Sequence, residues 1–200
     1  MIYYDTTTSL MLNSERVKAR IGTLNGDTLG KVGIYPLEEV RPDYNPVLYE
    51  LSPAGKPKPK LEEPNIYQLN FIVVPRDLDS AKYGMKEKAT AKRWKVETGG
   101  ITLADGTRIL TGIEDQNRIA TSIQGMRDAG TASVDFKAAS GWVTLTLEQL
   151  VAVSVAIVAH VEACFSHERA LYEAIDAAVD VETLGAIDIN AGWPGKEVNA

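Results

Sequence analysis

The sequence predicts an α+β fold, in which a small β-rich N-terminal domain precedes a C-terminal β-β-α-β-β-α domain. Three observations predict it. Short apolar runs interrupted by prolines fill residues 1–75, two hairpin-like segments each lead into a capped helix, and the second of these helices is the longest periodic segment of the chain. We expect domains at 1–75 and 96–200, with a linking helix at 76–95. The two hairpins are expected to form one antiparallel sheet with both helices on one face.

The first domain is expected to contain one small antiparallel sheet. IYYD near the start and IYQLNFIVVP before residue 76 are rich in strand-forming residues. A further strand is expected over Val32 to Tyr35, ending at Pro36. Residues 52–64 contain four prolines and three lysines, which predicts an exposed loop or hairpin tip. A short helix over residues 13–21 is also predicted, capped by Asn13 or Ser14.

The predicted linking helix, 76–95, has a plausible N-terminal cap in Asp77 or Asp79 and a cationic last turn. Asp77 and Asp79 could also be considered as a metal-binding pair, but capping is the simpler interpretation. Residues 76–95 hold seven basic and three acidic residues, whereas residues 148–200 hold nine acidic and two basic ones. These two regions could be solvated faces, or they could attract each other within the molecule or between subunits.

The C-terminal domain shows the same pattern twice. Each copy has a turn glycine, in Asp105-Gly106 and Ser140-Gly141, and a threonine five residues later that begins a helix. Asp-Gly supplies the positive φ angles of a tight hairpin turn. Each threonine is followed three residues later by a Glu or Gln, which predicts a capping box at both helix starts; the pairs are Thr111 with Glu114 and Thr146 with Gln149. The first helix is expected to stop near Gly125 to Gly130, and a short helix capped by Asp180 and ending at Gly185 is predicted after the second.

The second, long helix is predicted to bury one broad apolar face. Glu148, Glu162 and Glu173 lie opposite it. A transmembrane helix needs about 20 apolar residues. The mainly apolar run 150–159 has only ten residues before His160, and Glu162 follows soon after. We therefore expect a buried helix and no membrane insertion. The predicted face consists of Leu147, Leu150, Val151, Ile157, Val158, Val161, Phe165, Tyr172, Ile175 and Val179.

The best candidate ligands for a metal are His160, Cys164 and His167, because their spacing places three zinc-ligand side chains on one helix stripe. A single straight helix seldom closes a metal site, and at the edge of an apolar face these residue types are more often ordinary boundary residues. Cys164 is poorly placed as a nucleophile, since it lies deep in a regular helix. We expect no catalytic, cofactor-binding or metal-binding residue, and we expect Trp94, Trp142 and Trp193 to belong to the core.

Composition narrows the function further. The net charge of −6 and the acidic C-terminal part argue against general nucleic-acid binding. The single cysteine excludes an internal disulfide framework. The first residues, MIYYDTTTSL, have neither the basic nor the apolar region of a secretory signal, so we expect none. Neither a P-loop nor a dinucleotide-binding fingerprint follows Gly99-Gly100.

Residues 80–195 resemble a domain of unknown function that recurs in tail-fibre and tail-assembly proteins of bacteriophages and prophages. The resemblance rests on Gly99-Gly100-Ile101, Asp105-Gly106 and Gly192-Trp193-Pro194, and on the hairpin from Phe136-Lys137-Ala138 to Gly141-Trp142-Val143. VGIYPLEEVRPDYNP resembles the front part of such phage proteins more loosely. The family has no assigned active site, so no functional residue is carried over.

The resemblance implies a non-enzymatic structural protein of a phage or prophage tail, made in the cytoplasm of the host bacterium and located in the virion. Its expected partners are other tail or fibre subunits, and it could form a homo-oligomer. One alternative is an assembly chaperone that helps fibres to fold or trimerise and is not retained in the virion. Another is a metal-dependent enzyme that uses His160, Cys164 and His167.

Overall fold

The computed structural model describes residues 1–22 and 24–195, and these residues form an α+β protein, as predicted. The chain divides into two compact units, Met1–Arg76 and Asp77–Ala200. The first unit contains six strands and two short helices: β1 (Ile2–Asp5), β2 (Leu10–Asn13), α1 (Ser14–Ile21), α2 (Gly26–Lys31), β3 (Ile34–Val40), β4 (Tyr49–Pro53), β5 (Lys58–Pro59) and β6 (Tyr67–Pro75).

The sheet of the first unit is mixed. Its strand order is β2-β1-β3-β6-β4, and β5 also pairs with β6. The expectation of a purely antiparallel sheet is wrong, because β3 and β6 run parallel, with Leu37 opposite Tyr67. Parallel neighbours need a long connection between them. Residues 41–66 supply it, and they return β4 and the short β5 to the far side of β6.

Pro36 does not end β3, contrary to the sequence-based expectation. The strand continues to Val40, and Pro36 lies opposite Tyr3 of β1. Proline lacks the N–H that a ladder uses, so it disrupts a strand only where that N–H would face a neighbouring strand. The parallel ladder with β6 begins only at Leu37, and Pro36 therefore takes no hydrogen bond away from it.

Two small cores cover the two faces of this sheet. Tyr3 packs with Leu12, Val17 and Ile34 beneath the helices, whereas the next residue, Tyr4, points to the opposite face because side chains alternate along a strand. Helix α1 is capped by the side chain of Asn13, as predicted. Helix α2 was not predicted, since its six residues include two glycines; an Asn25 cap supports it.

Asp5 is fully buried at the end of β1. Its carboxylate accepts hydrogen bonds from the backbone N–H groups of Thr7 and Thr8 and from the Thr8 hydroxyl, and it forms an ion pair of 2.6 Å with Arg20 of α1. Burial alone would raise the pKa of Asp5, but the hydrogen bonds from Thr8 and Arg20 outweigh it and hold the pKa below 3.8. This carboxylate therefore connects β1, the following turn and α1.

The second unit contains the β-β-α-β-β-α order that the sequence predicts, preceded by a long helix and followed by a short one. Its elements are α3 (Leu78–Glu97), β7 (Ile101–Thr102), β8 (Arg108–Ile109), α4 (Ile113–Ala129), β9 (Ser133–Ala138), β10 (Gly141–Thr146), α5 (Leu147–Ala177) and α6 (Val181–Gly185). Helix α6 is capped by Asp180, as predicted.

The two hairpins do not join into one four-stranded sheet, although the sequence predicts that they do. Each remains a separate two-stranded sheet. Strands β7 and β8 have only two residues each, which leaves too little ladder to extend. The hairpins are joined by a backbone hydrogen bond of 2.9 Å, from the Ala139 N–H to the Arg108 carbonyl, and by one of 3.1 Å from the Arg108 N–H to the Ser140 hydroxyl.

The first hairpin turn also differs from the predicted form. Leu103 pairs with Thr107, so the loop has three residues, and only Gly106 has a positive φ, of 84°. This is the pattern of a type I turn followed by a left-handed residue. In the second hairpin Gly141 already pairs with Ala138, so the loop is Ala139 and Ser140 and not Ser140-Gly141.

Only one of the two predicted capping boxes forms. The Thr146 side chain accepts from the Gln149 N–H, and the Gln149 side chain accepts from the Thr146 N–H. Helix α4, by contrast, starts after Gly112 with no side-chain cap. Thr111 is fully buried, where its hydroxyl donates to the Glu97 carbonyl and accepts from the Gly100 N–H at 3.0 Å. Its hydroxyl is thus engaged by a different part of the chain.

Helix α5 is long, as predicted, but its buried stripe is rotated from the predicted face. The stripe advances by alternating steps of three and four residues along the first half of the helix, which is the spacing of a helix–helix seam. Val158, Phe165 and Val179 of the predicted face are exposed, and His160 and Cys164, predicted at its edge, are buried. The buried residues are Leu150, Val153, Ile157, His160, Cys164, Leu171 and Ile175.

By length and composition alone, α5 could cross a membrane, and it is the one helix in the described part of the chain for which this holds. Its buried side chains Leu150, Val153 and Ile157 belong to the main core of the second unit, with residues of α4 and both hairpins. Even so, only 28% of its most apolar stretch is buried. Much of the apolar surface of α5 therefore faces outward.

Replacing Asp5 with Asn is expected to lower the free energy of unfolding by about 1–3 kcal/mol at neutral pH, because several donors lose a charged acceptor. Since the folded pKa of Asp5 is depressed, the stabilisation by its carboxylate is complete above the unfolded pKa and is lost as the pH falls through the folded pKa, below 3.8. Urea unfolding at neutral and acidic pH measures this. The control is Asp43→Asn, an exposed site that should change little. An equal difference between wild type and Asp5→Asn at both pH values would contradict the assignment.

Candidate functional site

Helices α3 and α5 pack antiparallel within the second unit, and their contact carries most of the buried charge there. The helix that the sequence places as a linker is thus part of a folded unit. Near one end of the contact, the Lys86 ammonium pairs with Asp176 at 2.7 Å, and Lys82 donates to the Asp176 carbonyl. The basic and acidic regions noted in the sequence therefore attract each other, at least in part, within one molecule.

Arg93 lies at the middle of this contact with only 12% of its side chain exposed. Its guanidinium pairs with Glu97, one turn further along α3, and its Nε lies 2.8 Å from Glu168 Oε2 of α5. The guanidinium carbon also lies 4.4 Å from the centre of the Phe165 ring. A buried guanidinium needs such partners, because an unpaired charge out of water costs several kcal/mol.

A chain of hydroxyl groups completes the environment of Glu168. The Thr90 hydroxyl donates to Glu168 Oε1 at 2.6 Å, and the Tyr172 hydroxyl lies 2.7 Å from the same Thr90 oxygen. Because Thr90 has a single hydroxyl hydrogen and the carboxylate can only accept, Tyr172 is the donor to Thr90. Glu168 thus receives the Arg93 charge at one oxygen and a relayed hydrogen bond at the other.

His160 and Cys164 come together below this cluster. Cys164 Sγ lies 3.8 Å from His160 Nε2, and the same ring nitrogen lies 3.2 Å from the Val96 carbonyl of α3. A nitrogen that bonds a carbonyl must carry a proton, so Nε2 is the donor to Val96. Nδ1 is buried and has no hydrogen-bond partner among the described residues.

His167, the third residue of the predicted trio, is directed to a different place. Its Nε2 donates to the Ala191 carbonyl at 2.9 Å, and its ring meets the Trp193 ring edge to face at 4.6 Å. Trp193 in turn donates to the Ile189 carbonyl. We call this contact between His167 and residues 189–193 the C-terminal clasp. Trp193, expected in the core, is only partly buried and contacts α5 through His167.

Gly192 fits the clasp for two reasons. Its φ of 79° is one that residues with a side chain rarely adopt, and a Cβ there would lie 2.6 Å from His167 Cε1. The backbone conformation and the close His167 ring therefore explain why a glycine occupies the first position of Gly192-Trp193-Pro194, one of the segments that carry the resemblance. His167 serves to hold the following chain segment.

The positions of His160, Cys164 and His167 bear on the two chemical roles considered for them, metal binding and nucleophilic catalysis. In the described part of the chain, no group of three or more His, Cys, Asp or Glu side chains is arranged to hold a metal ion. Burial raises the pKa of the Cys164 thiol, although the charge of Arg93 acts the other way. A raised pKa disfavours the thiolate, which is the nucleophilic form.

Asp77 caps helix α3, which is the simpler of the two interpretations of Asp77 and Asp79. Its carboxylate accepts from the Asp79 and Ser80 N–H groups at 3.1 Å, and the hydrogen bonds from Ser80 lower the pKa of Asp77. The expectation for the tryptophans is wrong in part. Trp94 is 56% exposed and Trp142 71% exposed. Both rings lie near cationic side chains, Arg93 and Lys137 respectively.

Sequence reasoning did not single out Arg93, Glu168, Thr90 or Tyr172. A signal was present in the opposite charges of the two helices. In an antiparallel pair, contacts advance along one helix as they retreat along the other, and here Lys86, Thr90 and Arg93 meet Asp176, Tyr172 and Glu168 in that order. The pairing could be found only once α3 was assigned to α5 as a neighbour and no longer treated as a linker.

Comparison with known proteins gives one result. The family model of a domain of unknown function, DUF4376, matches residues 80–191, which is more than half of the chain. The match covers α3, the β-β-α-β-β-α elements and the clasp as far as residue 191. Neither the curated proteins nor the solved structures contain a match.

Replacing Arg93 with Met is expected to lower the free energy of unfolding by about 3–5 kcal/mol, because Glu97 and Glu168 would remain buried without a cation. Denaturant unfolding of the whole chain, followed by circular dichroism, measures this. Arg169→Met is the matched control, since Arg169 also pairs with a glutamate one turn away but is 83% exposed. Such surface pairs contribute about 0.5 kcal/mol or less. Equal effects of the two substitutions would show that the buried cluster has no special weight.

Gly192→Ala is expected to open the C-terminal clasp, because the new Cβ would meet the His167 ring in a backbone conformation that costs about 1–2 kcal/mol for alanine. Hydrogen exchange should become faster in residues 186–195 and remain unchanged in the middle of α5. Gly195→Ala is the control, since a Cβ there has nothing within 4 Å. Identical exchange in the two variants would rule out the steric role of Gly192.

Proposed function

This chain belongs to the DUF4376 family of domains of unknown function, and from that premise we propose that it is a non-enzymatic structural protein of a bacteriophage or prophage tail. It would form part of, or attach to, the fibre or tail tip, with other tail subunits as partners. The support comes from the resemblance of residues 80–195 and of the VGIYPLEEVRPDYNP segment to phage tail proteins. In this role the chain uses no cofactor and contacts proteins, not nucleic acid or membrane.

The first unit supplies the contact surface in this proposal. The observation that carries it is that strand β2 is an edge strand with exposed apolar side chains. This strand lies at the edge of the sheet, so one of its sides has no neighbouring strand among the residues that the structure describes. Leu10 is 57% exposed and Met11 47% exposed on it. Edge strands in monomeric proteins are commonly protected by charges, prolines or bulges. An edge that presents apolar side chains is suited to pairing with an added strand of a partner.

The rest of the first unit fits a partner-binding role. Leu61 is 98% exposed in the proline- and lysine-rich segment 52–64, and Ile72 is 51% exposed on β6. Single exposed apolar side chains are ordinary on protein surfaces; in this proposal, those of the first unit add to the contact that β2 offers. The second unit, with its larger core, would act as the stable base.

The assembly-chaperone alternative makes use of the same surface. A chaperone would bind the same tail subunits through β2 but would leave before the particle is complete. The two roles therefore differ in the final location of the chain and not in the binding surface. Measuring its abundance both in the lysate complexes and in the purified particles separates them.

We expect the wild-type chain to be present in purified tail particles and the double variant Leu10→Lys, Met11→Lys to be lost from them at least tenfold, because two lysines disfavour pairing at the edge. Quantitative mass spectrometry of particles from hosts that carry each gene measures this. Val32→Lys is the control: Val32 is 43% exposed in the same unit but lies outside the strands. Capture of tail subunits from lysate without retention in particles would indicate the chaperone. If the chain neither captured tail subunits nor remained in the particles, a tail role would be refuted.

A further inference from the structure

We propose that two copies of this chain pair through α5, with the two helices antiparallel. The pairing surface is the outward side of the helix, which we call the outer face and define as Ala152, Val155, Val158 and Ala159. Val155 is 64% exposed and Val158 58% exposed, although no charged residue occurs between Glu148 and Glu162. A helix of this composition buries too little of its apolar surface within one molecule.

Charge decides the orientation. In a parallel pair, Glu148, Glu162 and Glu173 of one copy would each face the same residue of the other, and these like charges repel. In an antiparallel pair centred between Val158 and Ala159, the residue opposite Glu148 is Arg169. Both lie on the exposed side of α5, and each attraction occurs twice because the arrangement has twofold symmetry.

With the pair centred between Val158 and Ala159, large side chains of one helix fall opposite small side chains of the other. Phe165 falls opposite Ala152, and Val158 falls opposite Ala159, so a large side chain meets a small one at each position. Small residues allow the helices to approach closely, and alternating sizes let the surfaces interdigitate. Val155 falls opposite Glu162, whose methylene groups can cover it while the carboxylate remains in water.

The charged groups at the ends are available for this contact. The Glu148 side chain has no hydrogen bond or ion pair within the described residues. In residues 1–22 and 24–195, the only pair that Arg169 forms is with Glu173, at 3.0 Å, and both side chains are mostly exposed. An exposed pair of this kind contributes about 0.5 kcal/mol or less, so Arg169 can exchange partners at little cost.

The length of the contact sets its strength. Glu148 and Arg169 are 21 positions apart, which is roughly 31 Å along a helix. At a helix width of about 10 Å, the contact covers on the order of 300 Å² of each copy in projection, less than the ~800 Å² per partner of a standard interface. The pair is therefore weak in dilute solution and is populated where copies are concentrated, as in an assembly. It concerns the second unit only and does not depend on the tail role proposed for the first.

Sedimentation equilibrium of the whole chain, from micromolar to millimolar concentration, tests the pairing. The wild type should show a mass that rises towards the dimer. Glu148→Arg or Arg169→Glu alone should weaken association roughly tenfold, because two attractive pairs per dimer become repulsive. The double variant should recover the wild-type association, which only an antiparallel contact between these two positions explains. Val179→Lys, at an exposed position beyond the helix, is the control.

Three results would overturn the proposal: a wild type that stays monomeric at all concentrations, single variants that associate like the wild type, or a double variant that is not rescued. Thermal unfolding of each variant separates loss of pairing from loss of fold, since Arg at the start of a helix also disfavours its dipole. Binding of the wild-type chain to phosphatidylcholine vesicles that Val158→Asp abolishes would assign the outer face to a lipid surface, again against the proposal.

Discussion

The buried contact between α3 and α5 is the constraint on which the second unit depends. One stripe of α5 makes this contact in its C-terminal half and meets α4 and both hairpins in its N-terminal half. Arg93 lies where the two halves meet, because its partner Glu97 is the last residue of α3 and the Glu97 carbonyl accepts from Thr111 at the start of α4. Helix packing, ion pairing and the entry into the first hairpin are thus linked through neighbouring atoms.

A buried ion pair is weak evidence for net stability, since desolvation of the charges offsets much of their attraction. Its stronger effect here is on register. If α3 slid by one turn along α5, Arg93 would keep Glu97, which moves with it on α3, but it would leave Glu168, and that carboxylate, now 14% exposed, would lose its cation. An all-apolar seam would impose no such penalty. The cluster of Arg93, Glu97 and Glu168 therefore selects one alignment of two long helices that apolar packing alone would define less sharply.

Local sequence patterns predicted helix caps and helix extents well, but they predicted poorly which distant residues or strands contact each other. The Thr146 capping box, the Asp77 and Asp180 caps and the extent of α5 follow from residues within a few positions of each other, and sequence contains those. Thr111 has the same spacing to an acidic residue as Thr146 has to Gln149, yet it does not cap its helix. Its hydroxyl bonds to Glu97 and Gly100, which precede it by more than ten positions, and that competition is invisible in a four-residue pattern. The parallel pairing of β3 with β6 was missed for the same reason.

The histidines show how one spacing can support two interpretations. Positions 160, 164 and 167 lie on one stripe of α5, which is what a metal site on a helix and a helix–helix seam both require. The packing partner decides between them. His160 gives its Nε2 proton to the Val96 carbonyl of α3, and His167 gives its own to the Ala191 carbonyl of the C-terminal clasp. Each ring thus uses its Nε2 to hold a separate segment against α5. The spacing that resembles a ligand set is the spacing of the positions at which these segments contact the helix.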